Sequence, residues 1–298
     1  MEMTRKTKII LSIDGGGIRG VMPLVYLSEL QKELYKIDKK LHWFKVIDMV
    51  AGTSTGAIIS AALILHDEKG KPVYSPESLL GLYQNRGQQI FQKDREKIHN
   101  ESPLKHILDQ SFGEIKLSDI DKYFLFLSYN ENTKSPFLFT TDEKKFRNVK
   151  LSKALLACSS LKEYFPPVEI GTNLLTDGIS VAKNTTKIAY EYGRKYFPDD
   201  YGLIISLGTG IKENETDEID CNAEKIHEDM INIADENDQL SYIRFQPKVV
   251  RASFDMDDTS TENVNNLYED ALENLKNDKK NFQFILDIVK ERLKVEGV

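Results

Sequence analysis

Three consecutive glycines, Gly15, Gly16 and Gly17, constrain this chain most, and they follow a short apolar run at residues 8–13. The apolar run is typical of a buried strand, and the spacing of apolar residues from Val21 onward predicts a helix. A strand, a glycine turn and a helix N-terminus leave backbone N–H groups uncovered, and the helix dipole favours an anion beside them. The turn is therefore suited to a phosphate, or to the oxyanion that forms during acyl transfer.

The composition predicts a single domain over residues 1–298. With 40% hydrophobic residues, a chain of this length can bury one sizeable core. The formal net charge of −7 gives no electrostatic support for a nucleic-acid partner. The two cysteines, Cys158 and Cys221, are widely separated, which favours neither a disulfide scaffold nor a zinc site. We expect no metal and no other cofactor.

Two further segments bear on localisation and domain organisation. The first apolar run ends at Asp14, which makes it too short for a signal-peptide core or a membrane span. We therefore expect a cytoplasmic protein that is peripheral to the inner face of the membrane when active. The stretch 211–239 is highly charged with an acidic excess, and we expect it to be a surface insertion of low order.

A second glycine motif follows the short apolar segment 49–51. It reads Gly52-Thr53-Ser54-Thr55-Gly56, a G-x-S-x-G sequence, and the apolar segment 57–65 comes directly after it. The context is thus strand, turn and buried helix, which is the arrangement that exposes a nucleophilic serine at the top of an α/β sheet. The small residues around Ser54 allow the tight turn. The motif predicts that Ser54 is a nucleophile.

Four predicted strands each end in a glycine turn, at 8–13, 49–51, 174–176 and 203–207. This pattern predicts an open α/β sheet whose functional residues lie at the carboxyl ends of the strands. Asp177 ends the third of these strands, so we expect it near Ser54.

A nucleophilic serine needs a base, and Asp177 is the candidate. A histidine is the usual base, but none of the five follows a strand as a catalytic histidine would; they are His42, His66, His99, His106 and His227. A carboxylate is a weaker base for a hydroxyl group. Within a closed pocket it can still contribute about 10²–10⁴ in rate.

These segments, in this order and at these separations, resemble the three signatures of the patatin-like phospholipases. The signatures are Asp14-Gly15-Gly16-Gly17-Ile18-Arg19-Gly20, Gly52-Thr53-Ser54-Thr55-Gly56 and Asp177-Gly178. Further similar segments are Ser206-Leu207-Gly208-Thr209-Gly210 and Tyr242-Ile243-Arg244. The resemblance extends over about residues 8–290, nearly the whole chain.

The resemblance implies a three-layer α/β/α fold with a mostly parallel central sheet. It also implies a Ser-Asp dyad, with Ser54 as nucleophile and Asp177 as base, and neither a catalytic histidine nor a metal. The oxyanion hole would consist of the triple glycine with the motif arginine; these residues are Gly15, Gly16, Gly17 and Arg19. One departure is Ile179, which stands where the family usually has Gly or Ala after Asp-Gly.

The chain also resembles the bacterial patatin-like effectors that cyclic nucleotides activate in antiphage defence. This resemblance implies a phospholipase A or lysophospholipase that acts on phospholipid membranes and has a cyclic nucleotide activator. The net charge of −7 agrees with weak constitutive adsorption to an anionic membrane. Whether the chain forms a homo-oligomer stays open.

Two alternatives belong to other functional classes. Gly15-x-Gly17-x-x-Gly20 after a strand also fits a dinucleotide-binding fingerprint. That fingerprint needs an acidic residue at the end of the second strand, whereas Asp38 lies at a polar helix end and the second strand leads to Ser54. The other alternative is a non-catalytic patatin fold that serves as a binding or storage protein. The departure from the family pattern at Ile179 is the feature that favours it.

Overall fold

The protein is described by a computed structural model that covers residues 7–90, 103–212 and 218–296. These residues form eight strands, which all belong to one sheet. In chain order they are β1 (Thr7–Ile13), β2 (Met49–Thr53), β3 (Tyr123–Asn130), β4 (Ser135–Thr140), β5 (Val168–Ile170), β6 (Asn173–Asp177), β7 (Tyr201–Leu207) and β8 (Leu240–Phe245).

The described residues also form ten α-helices. They are α1 (Val21–Ile37), α2 (Trp43–Val46), α3 (Thr55–Ile64), α4 (Pro76–Ile90), α5 (Pro103–Phe112), α6 (Leu151–Ser159), α7 (Thr186–Gly193), α8 (Glu218–Asp235), α9 (Thr261–Leu275) and α10 (Lys279–Glu296). No helix in the described ranges combines the length and the apolar character needed to cross a bilayer.

The strand order is β5-β6-β3-β2-β1-β7-β8, with β4 paired to β3 outside this path. Five neighbouring strands of the sheet run parallel: β3, β2, β1, β7 and β8. The strands β4, β5 and β6 add antiparallel pairings at the β3 end. Helices cover both faces, so the predicted α/β/α layers and mostly parallel sheet are confirmed. Along β1, Ile9 and Leu11 face the larger core, with helices such as α1 and α3, whereas Ile10 faces the smaller core under α7 and α8.

The pairing of β3 decides where the site forms. Its residues 125–130 pair with β4, 123–127 with β2 and 128–130 with β6. The residues of β3 that pair with β4 include residues that also pair with β2 and residues that also pair with β6. Because a strand has only two edges, β2 and β6 both lie on the edge opposite β4, end to end. β2 runs parallel to β3 and β6 antiparallel, so the carboxyl ends of the two strands point at each other.

The expectation of a low-order insertion over 211–239 is wrong for most of that stretch. Residues 218–235 form helix α8, and residues 213–217 lie outside the described part of the chain. This charged helix also has an apolar face. Ala223 and Met230 are buried, Met230 belongs to the smaller core, and Ile233 packs against that core. A charge-rich sequence still folds as a helix when one face can be buried against a sheet.

Candidate active site

Ser54 lies in the turn between β2 and α3, and its backbone is strained. Its φ of 55° and ψ of −128° are unusual for a residue with a side chain. The flanking glycines explain how the turn closes. A Cβ at Gly52 would overlap the backbone of Gly56, and a Cβ at Gly56 would overlap the carbonyl oxygen of Ile13. The G-x-S-x-G motif therefore forms the predicted tight turn, and Ser54 lines a cavity.

Asp177 is the last residue of β6 and is buried. Its Oδ1 accepts a hydrogen bond of 2.8 Å from the Ile179 N–H. Burial raises the pKa of Asp177 to about 7, against smaller lowering effects of the Ser54 hydroxyl and the Ile179 amide. A base whose pKa lies near neutral pH is well matched to proton transfer.

Ser54 and Asp177 are brought together by the shared edge of β3. Thr53 is opposite Leu127, and Asp177 is opposite the next residue, Ser128. The Ser54 hydroxyl lowers the pKa of Asp177, but among the described residues Asp177 Oδ2 has no hydrogen-bond partner. A contact that is long in the resting protein and tightens on substrate binding is common among catalytic groups.

Ile179 fits beside this pair without displacing it. Its side chain is buried and lines the same cavity as Ser54 and Asp177. Its Cδ1 lies 3.4 Å from the position that a Cβ on Gly15 would take, an ordinary van der Waals distance. Gly178, in contrast, has no room for a side chain because a Cβ there would overlap the Leu127 carbonyl oxygen. The departure at Ile179 thus adds apolar surface to the cavity.

The triple glycine forms the turn between β1 and α1, and its amides differ in their partners. The Gly15 N–H donates to the Lys183 carbonyl at 3.1 Å. The amides of Gly16 and Gly17 donate no hydrogen bond within the described residues. Gly17 has a φ of 57°, lines the cavity, and could not carry a Cβ without overlapping the Met256 carbonyl oxygen. Two of the three predicted amides therefore have no partner among the described residues, and of these two glycines Gly17 lines the cavity.

Arg19 is placed differently from the glycines. Its side chain is buried, and its guanidinium stacks 3.9 Å from the centre of the Phe254 ring. It does not contribute to the cavity lining, whereas Ile18 does. Arg19, which follows the glycine turn, thus packs against Phe254.

Arg244 in β8, for which the sequence predicts no role, forms a buried ion pair with Asp14. The guanidinium reaches both carboxylate oxygens, at 2.7 and 3.3 Å, and donates to the Ser206 Oγ at 2.8 Å. Burial alone would lower the pKa of Arg244, but the Asp14 carboxylate reverses the shift and raises it. The only sequence signal was the resemblance of Tyr242-Ile243-Arg244 to a family segment.

The cavity that contains Ser54 and Asp177 has an empty volume of about 580 Å³, part of which is open to solvent. Apolar side chains form most of its wall, including Ile58, Tyr83 and Phe165. No histidine of the described residues lines it. Nor does any group of three His, Cys, Asp or Glu residues in those ranges have the arrangement of a metal site.

The fold and the site define a class of α/β protein in which a serine on a strained strand-to-helix turn faces a buried carboxylate beside a glycine turn. The model of the family described as patatin-like phospholipase matches residues 11–190. The chain belongs to the patatin-like phospholipase family. The matched region contains Ser54, Asp177 and the triple glycine.

Several known proteins are similar to this chain. "Patatin-like protein 2" of Arabidopsis thaliana is 28% identical over 241 residues, which are 67% of this chain and 59% of that protein. "Patatin-07" of Solanum tuberosum is 26% identical over 172 residues, 55% of this chain and 45% of that protein. The chain thus spans less than two thirds of the length of the curated relatives it matches. The crystal structure of VipD from Legionella pneumophila covers 92% of this chain and 67% of that chain, with 12% identity and a TM-score of 0.41.

Proposed function

We propose that this protein is a serine acyl hydrolase that cleaves phospholipid esters, with Ser54 as nucleophile and Asp177 as general base. The observation that carries the proposal is the head-to-head junction of β2 and β6, which places a strained serine against a buried carboxylate of pKa about 7. Membership of the patatin-like phospholipase family supports a lipid acyl hydrolase.

In the first half of the reaction, Asp177 takes the hydroxyl proton while the Ser54 Oγ attacks the ester carbonyl carbon. The negative charge that develops on the carbonyl oxygen is held by the amides of Gly16 and Gly17, and each such donor contributes about 10²–10³ in rate. When the tetrahedral intermediate collapses, the alcohol leaves with the proton from Asp177, and an acyl group stays on Ser54.

In the second half, Asp177 takes a proton from a water molecule, and the resulting hydroxide attacks the acyl carbonyl. Collapse of this second intermediate releases the fatty acid, and the proton returns from Asp177 to Ser54. Neither a histidine nor a metal is needed in any step. The position of Arg19 against Phe254 suits a role in holding the glycine turn in place for both intermediates.

The substrate class follows from the cavity wall. The apolar side chains around Ser54 suit an acyl chain, and a phospholipid substrate requires peripheral contact with a membrane. We therefore propose activity at the cytoplasmic face of a membrane. The test is release of fatty acid from phospholipid vesicles by the purified protein, compared with Ser54→Ala. Ser28→Ala is a matched control, because Ser28 is a buried serine on α1 whose hydroxyl has no hydrogen-bond partner among the described residues. Equal release by Ser54→Ala and the native protein would refute the assignment.

We also propose, from the resemblance to antiphage effectors, that a cyclic nucleotide activates the enzyme and that its role is in defence. The net charge of −7 supports regulation, because it disfavours adsorption to an anionic membrane without a signal. A nucleotide would act by binding the membrane-competent state more tightly than the resting state. Vesicle hydrolysis should rise when cyclic di- or trinucleotides are added, and gel filtration would show whether a homo-oligomer forms. Full activity that no nucleotide changes would eliminate this regulation.

A further inference from the structure

The last turn of helix α6 lies against the end of β6, next to Asp177. The Asp177 N–H donates to the Ser160 carbonyl at 3.0 Å. The Ser128 hydroxyl lies within hydrogen-bond distance of two further carbonyls, those of Ala157 at 3.1 Å and Thr176 at 2.7 Å. Because these bonds join the helix to the strand, they fix the end of α6 beside the candidate base.

Ser159, the last residue of α6, lines the cavity that contains Ser54 and Asp177. It is 5% exposed, and its hydroxyl has no hydrogen-bond partner among the described residues. The neighbouring Ser160 differs, because its hydroxyl donates to the Leu156 carbonyl at 2.8 Å. Of these two serines, Ser159 is therefore the one whose hydroxyl is available to a molecule in the cavity.

Asp177 Oδ2 resembles the Ser159 hydroxyl in this respect. Asp177 is 3% exposed and lines the same cavity, and its Oδ2 has no hydrogen-bond partner among the described residues. Leaving a buried polar atom without a partner is unfavourable. A small polar molecule that bonds to both oxygens is therefore favoured at this position. Water fits the pair, because it can donate one hydrogen to each oxygen.

The second half of the proposed reaction needs a water molecule held in this way. The water oxygen must face the acyl carbon on Ser54, so both of its hydrogens have to point away from that carbon. A carboxylate oxygen accepts one hydrogen and a hydroxyl oxygen accepts the other. Holding the attacking molecule in the reactive orientation lowers the barrier, because its rotational freedom is lost before the step begins.

We infer that Ser159, together with Asp177, orients the hydrolytic water that releases the acyl group from Ser54. The inference rests on the proposed acyl hydrolase function. As the water oxygen bonds to the acyl carbon, the carbonyl electron pair moves onto the carbonyl oxygen and one water proton moves to Asp177 Oδ2. The second hydrogen stays on the water oxygen and donates to Ser159 Oγ. Collapse then breaks the bond between the acyl carbon and Ser54 Oγ, and Oγ takes the proton from Asp177.

The test compares water with methanol as acceptor of the acyl group. Methanol has a single hydroxyl hydrogen, which Asp177 takes, so methanol does not need the Ser159 oxygen. The protein is given p-nitrophenyl butyrate at a fixed methanol concentration, and gas chromatography measures methyl butyrate and butyric acid. In Ser159→Ala the ratio of methyl ester to acid should rise by about tenfold or more. The rate of the p-nitrophenol burst, which reports acylation, should stay within about twofold.

Ser152→Ala is the matched control, because Ser152 is a buried serine at the other end of α6 that does not line the cavity. It should change neither the ratio nor the burst. Both products come from the same acyl-enzyme, so their ratio does not depend on the amount of folded protein. If circular dichroism shows that Ser159→Ala does not fold, Ser159→Cys replaces it. Its sulfur is a weaker acceptor of similar size, and the ratio should rise there as well.

The outcomes separate this inference from the proposed function. An unchanged ratio in the folded Ser159 variant overturns the role of Ser159 and leaves the hydrolase standing. A folded Ser159→Ala without a burst also overturns that role, because the hydroxyl would then act in acylation. A native protein that hydrolyses no ester and forms no acyl group on Ser54, as measured by intact-mass spectrometry, would overturn the proposed function itself.

Discussion

Asp14 and Asp177 occupy similar positions but have opposite electrostatic surroundings. Each lies at the carboxyl end of a strand, precedes a glycine and is buried. Asp14 accepts two hydrogen bonds from the guanidinium of Arg244, which binds it in a bidentate manner. Asp177 has one backbone amide and the Ser54 hydroxyl, and no cation is among the causes of its pKa shift. Burial raises the pKa of both carboxylates, but at Asp14 the Arg244 guanidinium opposes that shift, whereas Asp177 has no counterion. Removing the partner of Asp14 would leave an uncompensated buried charge.

The largest expected effect tests Asp177 as a base. Asp177→Asn should lower ester hydrolysis by about 10²–10⁴-fold without lowering the free energy of unfolding, because it removes an uncompensated buried carboxylate. Ser54→Ala should have a similar effect, and the double variant should cost little more than either one, as for groups that act together. Initial rates and urea denaturation measure both quantities. If Asp177→Asn kept more than a tenth of the activity, the dyad would be wrong.

The opposite outcome is expected for the Asp14 pair. Arg244→Met should lower the free energy of unfolding by about 3–5 kcal/mol, because it leaves the Asp14 carboxylate buried and unpaired. Adding Asp14→Asn should restore part of the loss. The control is Arg251→Met, since Arg251 is half-exposed and its partner Asp270 keeps three backbone N–H donors. That change should cost about 1 kcal/mol or less. Equal losses in the two arginine variants would mean that burial of the ion pair does not matter.

The pKa of Asp177 predicts two pH dependences. As pH rises through about 7, kcat/KM should rise because the carboxylate becomes the base. Stability should change in the other direction. The folded state binds the Asp177 proton more tightly than the unfolded state, so this group stabilises the fold at low pH and loses that contribution between about pH 4 and pH 7.

The raised pKa of Asp177 should also produce a difference in stability between the native protein and Asp177→Asn. Asp177→Asn should gain stability relative to the native protein over that pH window, at about 1.4 kcal/mol per pKa unit. Denaturation of both proteins at pH 4, 6 and 8 measures the gain. A difference that stays constant across the three values would show that the pKa of Asp177 is not raised.

The smallest expected effect concerns the five histidines, of which His99 lies outside the described residues. Alanine at each of the five histidines, or treatment with EDTA, should leave ester hydrolysis within a few-fold of the native rate. The reason is that the Asp177 carboxylate lies beside Ser54 at the edge of β3, and the described cavity wall has neither a histidine nor a metal cluster. Circular dichroism of each variant separates loss of fold from loss of activity. A histidine variant that is folded and inactive would reinstate a histidine base.

The sequence by itself determined the local geometry of the site. The glycines around Ser54 specify a strand, a tight turn and a buried helix within a few residues, because backbone closeness at Gly52 and Gly56 excludes any side chain there. The triple glycine likewise specifies the turn after β1. Glycine turns of this kind are recognised from residues that are adjacent in the sequence. The strands and helices around them, and thus a mostly parallel sheet with flanking helices, could therefore be predicted. The roles of the predicted site residues remain predictions.

Only the tertiary structure decided how distant segments meet. The expected sheet placed Asp177 with Ser54 at parallel strand ends, but β6 runs antiparallel to β3 and reaches β2 end to end. Arg244 forms an ion pair with Asp14, which is 230 positions away in the sequence. Helix α8 forms in a stretch whose charged residues suggested low order. Such pairings depend on which edges and faces remain available once the sheet has formed. No local pattern records that availability, because it is a property of the assembled layers.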